Sequence, residues 1–194
     1  DQIVASDWVV LEVSSFQLDH CETFRPKIAV ILNITPDHMD RYENSMEKYA
    51  ASKARIFMNQ TADNLLIYDE DDEWTARTVP RALSRKIGFS AKKKLTEGAF
   101  VDNGNVVTTL DGKRSEVIAT DEISIRGMHN LYNAMAATIA GRLLEVSTAS
   151  IRATLKNFKG VEHRLEFVRE VNGVKYYDDS FSTTPETAIA AIQA

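Results

Sequence analysis

Two short apolar runs near the start of the chain constrain its fold more than any other feature. Residues 8–11 (W-V-V-L) and 27–34 (K-I-A-V-I-L-N-I) are almost continuously apolar, with no alternation of polar residues. Such runs are typical of strands that are buried on both faces of a parallel sheet. Each run leads into polar residues, and ligands of open parallel sheets bind beyond the carboxyl ends of the strands. We therefore predict an α/β fold, a mainly parallel sheet flanked by helices, with a ligand site at that edge.

Glu12 directly follows the first of these runs. A carboxylate at the end of a buried strand is either paired or bound to a cation, because an isolated buried charge is costly. The alternative is that Glu12 caps the amino-terminal end of the next helix, where the helix dipole favours negative charge.

Composition limits the classes of function. The 194 residues suffice for one large domain, or for one domain and part of another, and 44% of them are hydrophobic. The net charge is −5 and no basic block is present, which argues against a nucleic-acid partner. A single cysteine, Cys21, excludes an internal disulfide and a Cys-x-x-Cys zinc site. With no signal peptide and no membrane-spanning run, we expect a soluble cytoplasmic protein without a membrane partner.

The later part of the chain changes in pattern. Further strands are predicted at residues 64–68 and 86–89, and three short runs then follow at 99–102, 106–110 and 116–119. Asn-Gly and Asp-Gly dipeptides separate these three runs and favour tight hairpins. We therefore expect a small antiparallel sheet beside the main one.

The carboxyl-terminal third is expected to contain a domain boundary. A long helix is predicted at residues 128–144, and Ser147 is a good cap for another. Residues around Gly160 then read as a linker, followed by a hairpin and a new helix that begins at Pro185. We predict one domain at residues 1–157 and the start of a second, Rossmann-like domain at 158–194. Because the first residue is not Met and the last ones are helical, we expect an internal piece of a longer protein.

Lys53 lies on the apolar stripe of the helix predicted after Ser45. One interpretation is a side chain whose stem covers apolar surface while its ammonium stays in water. The other is a lysine held inside a site, where desolvation lowers its pKa and makes it reactive. The stripe consists of Met46, Tyr49, Ala50 and Phe57.

His38 follows Asp37 in the polar loop after the second apolar run. It is either an ordinary surface histidine or, if the first two strands are neighbours, a residue beside Glu12. A hard cation such as Mg²⁺ prefers oxygen ligands and keeps several waters, so a carboxylate, an imidazole and one further anion would form an unusual but workable shell.

Four polar residues in the later part of the chain could read a nucleotide. Asn130 and Asn133 lie three apart on one face of the helix predicted at 128–144. Buried amides there would need partners, such as the edge of a planar heterocycle, whereas Asn130 could instead simply cap the helix. Arg164 and Asp179 lie beyond the linker and are either surface charges or groups that face a nucleotide held between the domains.

Six blocks, in order along the chain, resemble the Mur ligase family. They are L-E-V-S-S-F-Q-L (11–18), N-I-T-P-D-H-M-D-R-Y (33–42), S-K-A-R-I-F (52–57), G-M-H-N-x-x-N (127–133), E-H-R-L-E (162–166) and D-D-S-F-S-T-T-P (178–185). The resemblance implies an ATP-dependent amide ligase of peptidoglycan synthesis that activates a carboxylate as an acyl phosphate. The E-V-S-S-F-Q form is similar to family members that add D-glutamate to UDP-N-acetylmuramoyl-L-alanine.

The resemblance also implies roles for the residues around the first strands. Glu12 and His38 match Mg²⁺-binding positions, and Lys53 matches a carbamylated lysine whose anion helps hold a second Mg²⁺. All three would then serve catalysis. Ser14 and Gln17 match positions near the muramoyl substrate.

In the later part of the chain, the resemblance implies contacts to ATP and to D-glutamate. Asn130 and Asn133 match nucleotide-contacting amides, Arg164 an arginine beside the phosphates, and Asp179 an acid near the ribose. Thr183 matches a position near the D-glutamate site. A monomer is expected.

Two departures from the family pattern stand out. Phe181 replaces the lysine of the usual D-S-K sequence, and the G-T-N-G-K-[ST] phosphate loop is absent, so we expect this piece by itself to be inactive. Two other interpretations stay open. One is another amino acid ligase of the family, such as a folylpolyglutamate synthase. The other is a non-catalytic module that binds nucleotide or Mg²⁺.

Overall fold

A mixed sheet of six strands forms the centre of the computed structural model, which describes residues 3–194. The strand order follows the chain, so that β1 and β6 lie at the two edges. Neighbours from β1 to β4 pair in parallel, and β4, β5 and β6 pair antiparallel. The strands are β1 (Ile28–Ile31), β2 (Leu65–Asp69), β3 (Arg85–Ser90), β4 (Gly98–Asp102), β5 (Asn105–Leu110) and β6 (Lys113–Ala119). The predicted α/β class is confirmed.

Six α-helices and a separate hairpin complete the described structure. Several helices begin where the sequence supplies a cap: the side chains of Ser45, Asp72 and Ser147 each accept a backbone N–H bond from the residue three positions on. The helices are α1 (Ser15–Leu18), α2 (Met46–Ala54), α3 (Glu73–Thr78), α4 (Met128–Leu143), α5 (Thr148–Asn157) and α6 (Pro185–Ile192). Strands β7 (Glu166–Val171) and β8 (Val174–Asp178) form the hairpin. None of the helices in residues 3–194 is long and apolar enough to cross a membrane.

Helices cover both faces of the main sheet and create two hydrophobic cores. Leu66 and Ile67 are adjacent on β2 and fully buried, yet they belong to different cores, because successive side chains of a strand point to opposite faces. Ile67 packs in the core that contains Met135 and Ile139 of α4. Leu66 packs in the core that contains Tyr49 of α2. The sheet is therefore the middle of three layers.

The prediction of a buried strand at residues 8–11 is wrong. These residues form no regular structure, and Val10 is 95% exposed. A strand needs a neighbour that pairs with its backbone groups. Among residues 3–194, β1 pairs only with β2, and no strand lies on its other side to connect residues 8–11 to the sheet. An apolar run alone does not provide those hydrogen bonds.

The three later strands are antiparallel hairpins, as predicted, and they continue the main sheet through β4. Gly98 of β4 pairs with Gly88 of β3 at the junction. A Cβ at Gly98 would lie 2.0 Å from the carbonyl oxygen of Gly88, and its φ of +126° disfavours any other residue. The glycine at position 98 thus allows the close approach that joins the hairpins to the parallel strands.

Candidate active site

Two polar side chains, the buried Ser52 of α2 and the half-buried Arg55 that caps the end of α2, fix α1 in place. Ser52 Oγ lies 2.6 Å from Asp19 Oδ1 and 2.9 Å from the Ser15 carbonyl oxygen. Arg55 donates to the carbonyl oxygens of Leu18 and Cys21, at 2.8 and 2.7 Å. The spacing of three places Ser52 and Arg55 on one helix face. Sequence analysis assigned neither residue a role, although two polar residues at this spacing beside an apolar stripe were a usable signal.

Ser14 and Gln17, the two residues matched to the muramoyl substrate, lie side by side at the start of α1. Gln17 Oε1 accepts hydrogen bonds from Ser14 N at 2.9 Å and from Ser14 Oγ at 3.0 Å. Both side chains are therefore positioned by the helix end that they cap. Gln17 is exposed and Ser14 is half-buried.

Lys53 is partly buried next to the loop that follows β1. Its Nζ lies 5.0 Å from the centre of the Tyr49 ring. Burial lowers the pKa of Lys53, while the negative charge of Asp37 acts in the opposite direction. A desolvated lysine of this kind has a larger neutral fraction than one in water. Lys53 is therefore partly withdrawn from water, with its Nζ near an aromatic face, an arrangement that fits both interpretations drawn from the sequence.

His38 lies beside Asp37 in the same loop. Its Nε2 is 3.5 Å from Asp37 Oδ2, and its ring meets Phe16 of α1 edge-on, with 6.2 Å between ring centres. The backbone of His38 is left-handed, with a φ of 50°. Non-glycine residues rarely adopt this conformation, and it often marks functional loops. Asp37 thus lies beside His38, and its charge also acts on Lys53; both residues match the family's metal site.

Glu12 does not end a strand, contrary to the expectation, because residues 8–11 form none. It is exposed and lies in the irregular segment before α1. Within residues 3–194 its carboxylate makes no hydrogen bond or ion pair. It is four residues from Phe16, whose ring contacts His38, so only its proximity in the chain links it to the other two matched residues.

The two asparagines at the start of α4 are not buried, contrary to the premise drawn from the sequence. Asn133 is exposed, and Asn130 is half-buried. Asn130 Nδ2 donates to the Arg126 carbonyl oxygen at 2.7 Å, and Asn133 Nδ2 donates to Asn130 Oδ1 at 3.3 Å. Gly127, with a φ of 92°, is the cap of α4, so Asn130 does not cap it. The Asn133 amide lies on the surface, accessible to a ligand.

The β7–β8 hairpin, which Arg164 and Asp179 flank, packs near the start of α4. The Arg126 guanidinium lies 5.8 Å from the centre of the Tyr177 ring. Burial lowers the pKa of His129, and the charge of Asp179 opposes that effect. Asp179 Oδ1 accepts a hydrogen bond from Leu165 N at 3.0 Å. Asp179 and the helix start that bears the asparagines therefore border one region.

Arg164 and Thr183 are both exposed in this hairpin region. The Arg164 guanidinium lies 5.2 Å from the centre of the Phe181 ring. Thr183 lies two residues beyond Phe181 and directly precedes Thr184, the cap of α6. Both side chains are thus available to ligands.

An acidic turn without a role in the sequence-based predictions contacts α4 through Tyr132. Asp71 accepts hydrogen bonds from Ser90 Oγ at 2.7 Å, Ala91 N at 2.9 Å and Tyr132 OH at 2.7 Å. Asp69, the last residue of β2, is only 7% exposed, and burial raises its pKa to about 6. The turn connects the ends of β2 and β3 to α4, next to Asn133.

A second cluster that sequence analysis missed lies at the base of the β7–β8 hairpin. His163 Nδ1 is 2.7 Å from Asp178 Oδ2, and this hydrogen bond raises the pKa of His163. Glu166 Oε2 accepts from the backbone N–H of His163 at 2.9 Å. Ligand atoms of the three side chains lie within 4.8 Å of one another, close enough to hold a metal ion. In this structure the three side chains join β7 and β8 to the loop that precedes β7.

Comparison with known sequences identifies Mur ligases as relatives of this chain. The model of the Mur ligase middle domain matches residues 4–141. UDP-N-acetylmuramoylalanine–D-glutamate ligase of Pelotomaculum thermopropionicum is 47% identical over 188 residues, which are 97% of this chain and 41% of that protein. The enzyme of the same name from Acidobacterium capsulatum is 48% identical, over 96% of this chain and 41% of its own. The chain therefore spans about two fifths of these curated relatives.

Solved structures share the fold at low sequence identity. MurF from Acinetobacter baumannii superposes with a TM-score of 0.70 at 22% identity, over 87% of this chain and 37% of its own. UDP-N-acetylmuramate-alanine ligase MurC from Thermotoga maritima superposes with a TM-score of 0.65 at 22% identity, over 93% of this chain and 39% of its own. MurF from Thermotoga maritima, solved in complex with ADP, superposes with a TM-score of 0.66 at 19% identity, over 93% of this chain and 42% of its own.

Proposed function

The chain belongs to the Mur ligase family, and from that membership we propose that it is part of an ATP-dependent ligase that joins D-glutamate to UDP-N-acetylmuramoyl-L-alanine. The observation that carries this proposal is the 47% identity, across almost the whole chain, to a protein named for that reaction. The product belongs to peptidoglycan synthesis, and we place the enzyme in the cytoplasm, where ATP is present. Residues 1–157 would form most of the central domain and residues 158–194 the start of the next.

The reaction proceeds through an activated carboxylate. The terminal phosphoryl group of ATP moves to the carboxylate of the muramoyl-alanine substrate, which gives an acyl phosphate and ADP. The neutral amine of D-glutamate attacks the acyl carbon, the tetrahedral intermediate loses inorganic phosphate, and the amine gives up a proton as the amide forms. Phosphoryl transfer of this kind depends mainly on positioning and on neutralising the phosphate oxygens.

The residues around Asp37 fit the Mg²⁺ that such a reaction uses. His38 and Glu12 would supply an imidazole and a carboxylate, and Lys53 a carbamate. The fit rests on Lys53, because its neutral amine can add CO₂ and burial lowers its pKa. Asp37 lies 3.5 Å from His38, its charge also acts on Lys53, and it adds to the negative potential there. When bound, the metal would neutralise charge on the phosphate oxygens.

The remaining matched residues would bind the organic substrates. Asn130 and Asn133 lie at the start of α4, and the exposed Asn133 amide is available to the nucleotide. Arg164 would face the phosphates and Asp179 the ribose, from a hairpin that borders the same helix end. A helix amino terminus adds partial positive charge to such a site.

The other substrates would bind at two further places. Ser14 and Gln17 would contact the muramoyl substrate from the start of α1, where they hold each other in place. Thr183, just before α6, would contact D-glutamate. ATP, the muramoyl substrate and D-glutamate would then each contact a different element of the fold. Closure of the hairpin region on the central domain would then complete the site.

Replacing Lys53 in the full-length protein tests the proposal. Phosphate release from ATP should require both UDP-N-acetylmuramoyl-L-alanine and D-glutamate. Lys53→Ala should lower kcat and kcat/KM together while the far-ultraviolet circular dichroism is retained. Added acetate should restore part of the rate by replacing the carbamate. Lys48→Ala is the matched control, because Lys48 lies on the same helix and pairs with Glu43 at the surface.

The outcomes separate this proposal from its rivals. Activity with another amino acid in place of D-glutamate would assign the chain to a different ligase of the family. ATP binding without phosphate release would indicate a non-catalytic module. Near-normal activity of Lys53→Ala would refute the proposed role of that residue.

A further inference from the structure

Phe181, the residue that replaces the family lysine, makes an aromatic contact with the arginine matched to the phosphates. The Arg164 guanidinium lies 5.2 Å from the centre of the Phe181 ring. The imidazole of His163 stacks on the same ring, with 6.3 Å between ring centres and 28° between planes. Phe181 is 56% exposed, so its ring lies at the surface and is not part of a hydrophobic core. Guanidinium groups are attracted to aromatic faces at this distance.

Several hydrogen bonds join the loops that carry this ring and the arginine. Phe181 N donates to the His163 carbonyl oxygen at 3.1 Å. Leu165 N donates to Asp179 Oδ1 at 3.0 Å, and His163 Nδ1 lies 2.7 Å from Asp178 Oδ2. The loop that bears Arg164 is therefore joined at several points to the loop that bears Phe181. Arg164 lies between the attachment points.

The backbone on both sides of Arg164 is in an unfavourable conformation. His163 has a φ of 64° and Leu165 a φ of 47°, both in the left-handed region that favours glycine. Such residues persist only where surrounding contacts fix them, and they are concentrated at functional sites. The contacts to Phe181, Asp178 and Asp179 are of that kind. They determine the direction in which the Arg164 side chain leaves the loop.

The same loops border the start of α4. Tyr177, at the end of β8, packs against the Arg126 guanidinium just before that helix. The charge of Asp179 reaches His129 in its first turn. Tyr177 and Asp179, which flank Arg164 and Phe181 in the hairpin region, therefore lie near the helix end that bears Asn130 and Asn133, the residues proposed to contact the nucleotide.

We propose that Phe181 is a positioning residue, whose ring holds the Arg164 guanidinium in the orientation that contacts the phosphate groups of the bound nucleotide. This inference rests on the proposed function, which places ATP in this region. A lysine at position 181 would bring a cation of its own. In this chain an aromatic ring takes that place and orients a cation supplied by the neighbouring loop.

A double-mutant cycle in the full-length protein tests the coupling between the two side chains. The affinity for a non-hydrolysable ATP analogue is measured for the wild type, Phe181→Leu, Arg164→Ala and the double variant. Phe181→Leu should weaken binding about two- to fivefold, the range of an exposed cation–π contact. Phe181→Tyr should bind like the wild type, because it keeps the aromatic face. In the Arg164→Ala background, Phe181→Leu should have no further effect.

Two results would overturn the inference. One is an equal loss of affinity from Phe181→Leu with and without Arg164, since the ring would then act independently of the arginine. The other is unchanged affinity in the wild-type background. If Phe181→Leu fails to fold, Phe181→Met serves in its place, since it also keeps apolar volume without an aromatic face.

Phe167→Leu is the matched control. Phe167 lies on β7, is 53% exposed like Phe181, and packs edge-on against Tyr177 at 5.6 Å. The Phe167→Leu substitution should leave the affinity for the ATP analogue unchanged. Because the readout is binding and not ligation, failure of the coupling is distinguishable from failure of the proposed function, which would show as absent D-glutamate ligation with intact nucleotide binding.

Discussion

Replacing Asp69 by asparagine should stabilise the protein at neutral pH and not in acid. Asp69 is only 7% exposed at the end of β2, and burial raises its pKa from 3.8 to about 6. The folded state therefore binds the proton more tightly than the unfolded state does. The stabilisation from that proton is fully present below pH ~4 and is lost as the pH rises through about 6. Asparagine removes the charge and keeps an acceptor for Asp71 N, which lies 2.8 Å from Asp69 Oδ1.

The magnitude follows from the size of the pKa shift. A shift from 3.8 to about 6, at roughly 1.4 kcal/mol per unit, corresponds to about 3 kcal/mol. Asp69→Asn should therefore raise the free energy of unfolding by up to ~3 kcal/mol at pH 8, with little effect near pH 4.

Urea unfolding followed by circular dichroism at several pH values between 4.5 and 8 measures this difference. Asp63→Asn is the control, because Asp63 is an exposed carboxylate before β2. It should change the free energy of unfolding by the same small amount at every pH. An equal change in the free energy of unfolding at pH 5 and pH 8 on Asp69→Asn would refute this effect of burial. So would parallel changes in the free energies of unfolding of the wild type and the variant between those two pH values.

Three further substitutions test local contacts on which the fold depends. Ser52→Ala should cost about 1–2 kcal/mol in urea unfolding, since it removes the hydroxyl that holds α1 on α2, and an unchanged midpoint would contradict that role. Gly98→Ala should lower the melting temperature far more than Gly112→Ala, because its Cβ would lie 2.0 Å from a carbonyl oxygen whereas nothing lies within 4 Å at Gly112; similar losses would refute the close-approach argument. Ser147→Ala should cost about 1 kcal/mol by calorimetry through loss of the α5 cap, and no loss would show that the cap is dispensable.

Local signals in the sequence predicted most of the secondary structure. The Asn172-Gly173 turn places both residues at positive φ, 50° and 80°, as a tight hairpin requires, so β7 and β8 could be predicted. The Ser147 cap and the apolar positions Ile151 and Leu155 predicted α5 in the same way. These features depend on neighbours within a few residues.

Features that depend on distant partners could not be predicted in this way. Residues 8–11 have the composition of a buried strand, but strand formation needs a neighbouring strand, and Val10 is exposed. The pairing of Gly98 with Gly88, which extends the main sheet, is equally invisible in a local pattern. The contact of Arg164 with Phe181 joins two loops whose proximity only the fold creates.

The role of the candidate site stays a prediction. The motif blocks point to Lys53 and His38; Asp37 lies 3.5 Å from His38, and its charge acts on Lys53. Asn130 and Asn133 were correctly placed at the start of one helix, but their exposure contradicted the idea of buried amides. Burial depends on what packs over a residue, and the sequence alone does not contain that information in readable form.

Isotope transfer in the full-length protein tests the central claim most directly. UDP-N-acetylmuramoyl-L-alanine labelled with ¹⁸O in its alanine carboxylate is incubated with ATP, D-glutamate and Mg²⁺, and the inorganic phosphate is analysed by ³¹P NMR. An acyl phosphate requires that one carboxylate oxygen leaves with the phosphate, so the account predicts phosphate that carries one ¹⁸O. Product formation with only unlabelled phosphate, or with the label in AMP, would contradict it.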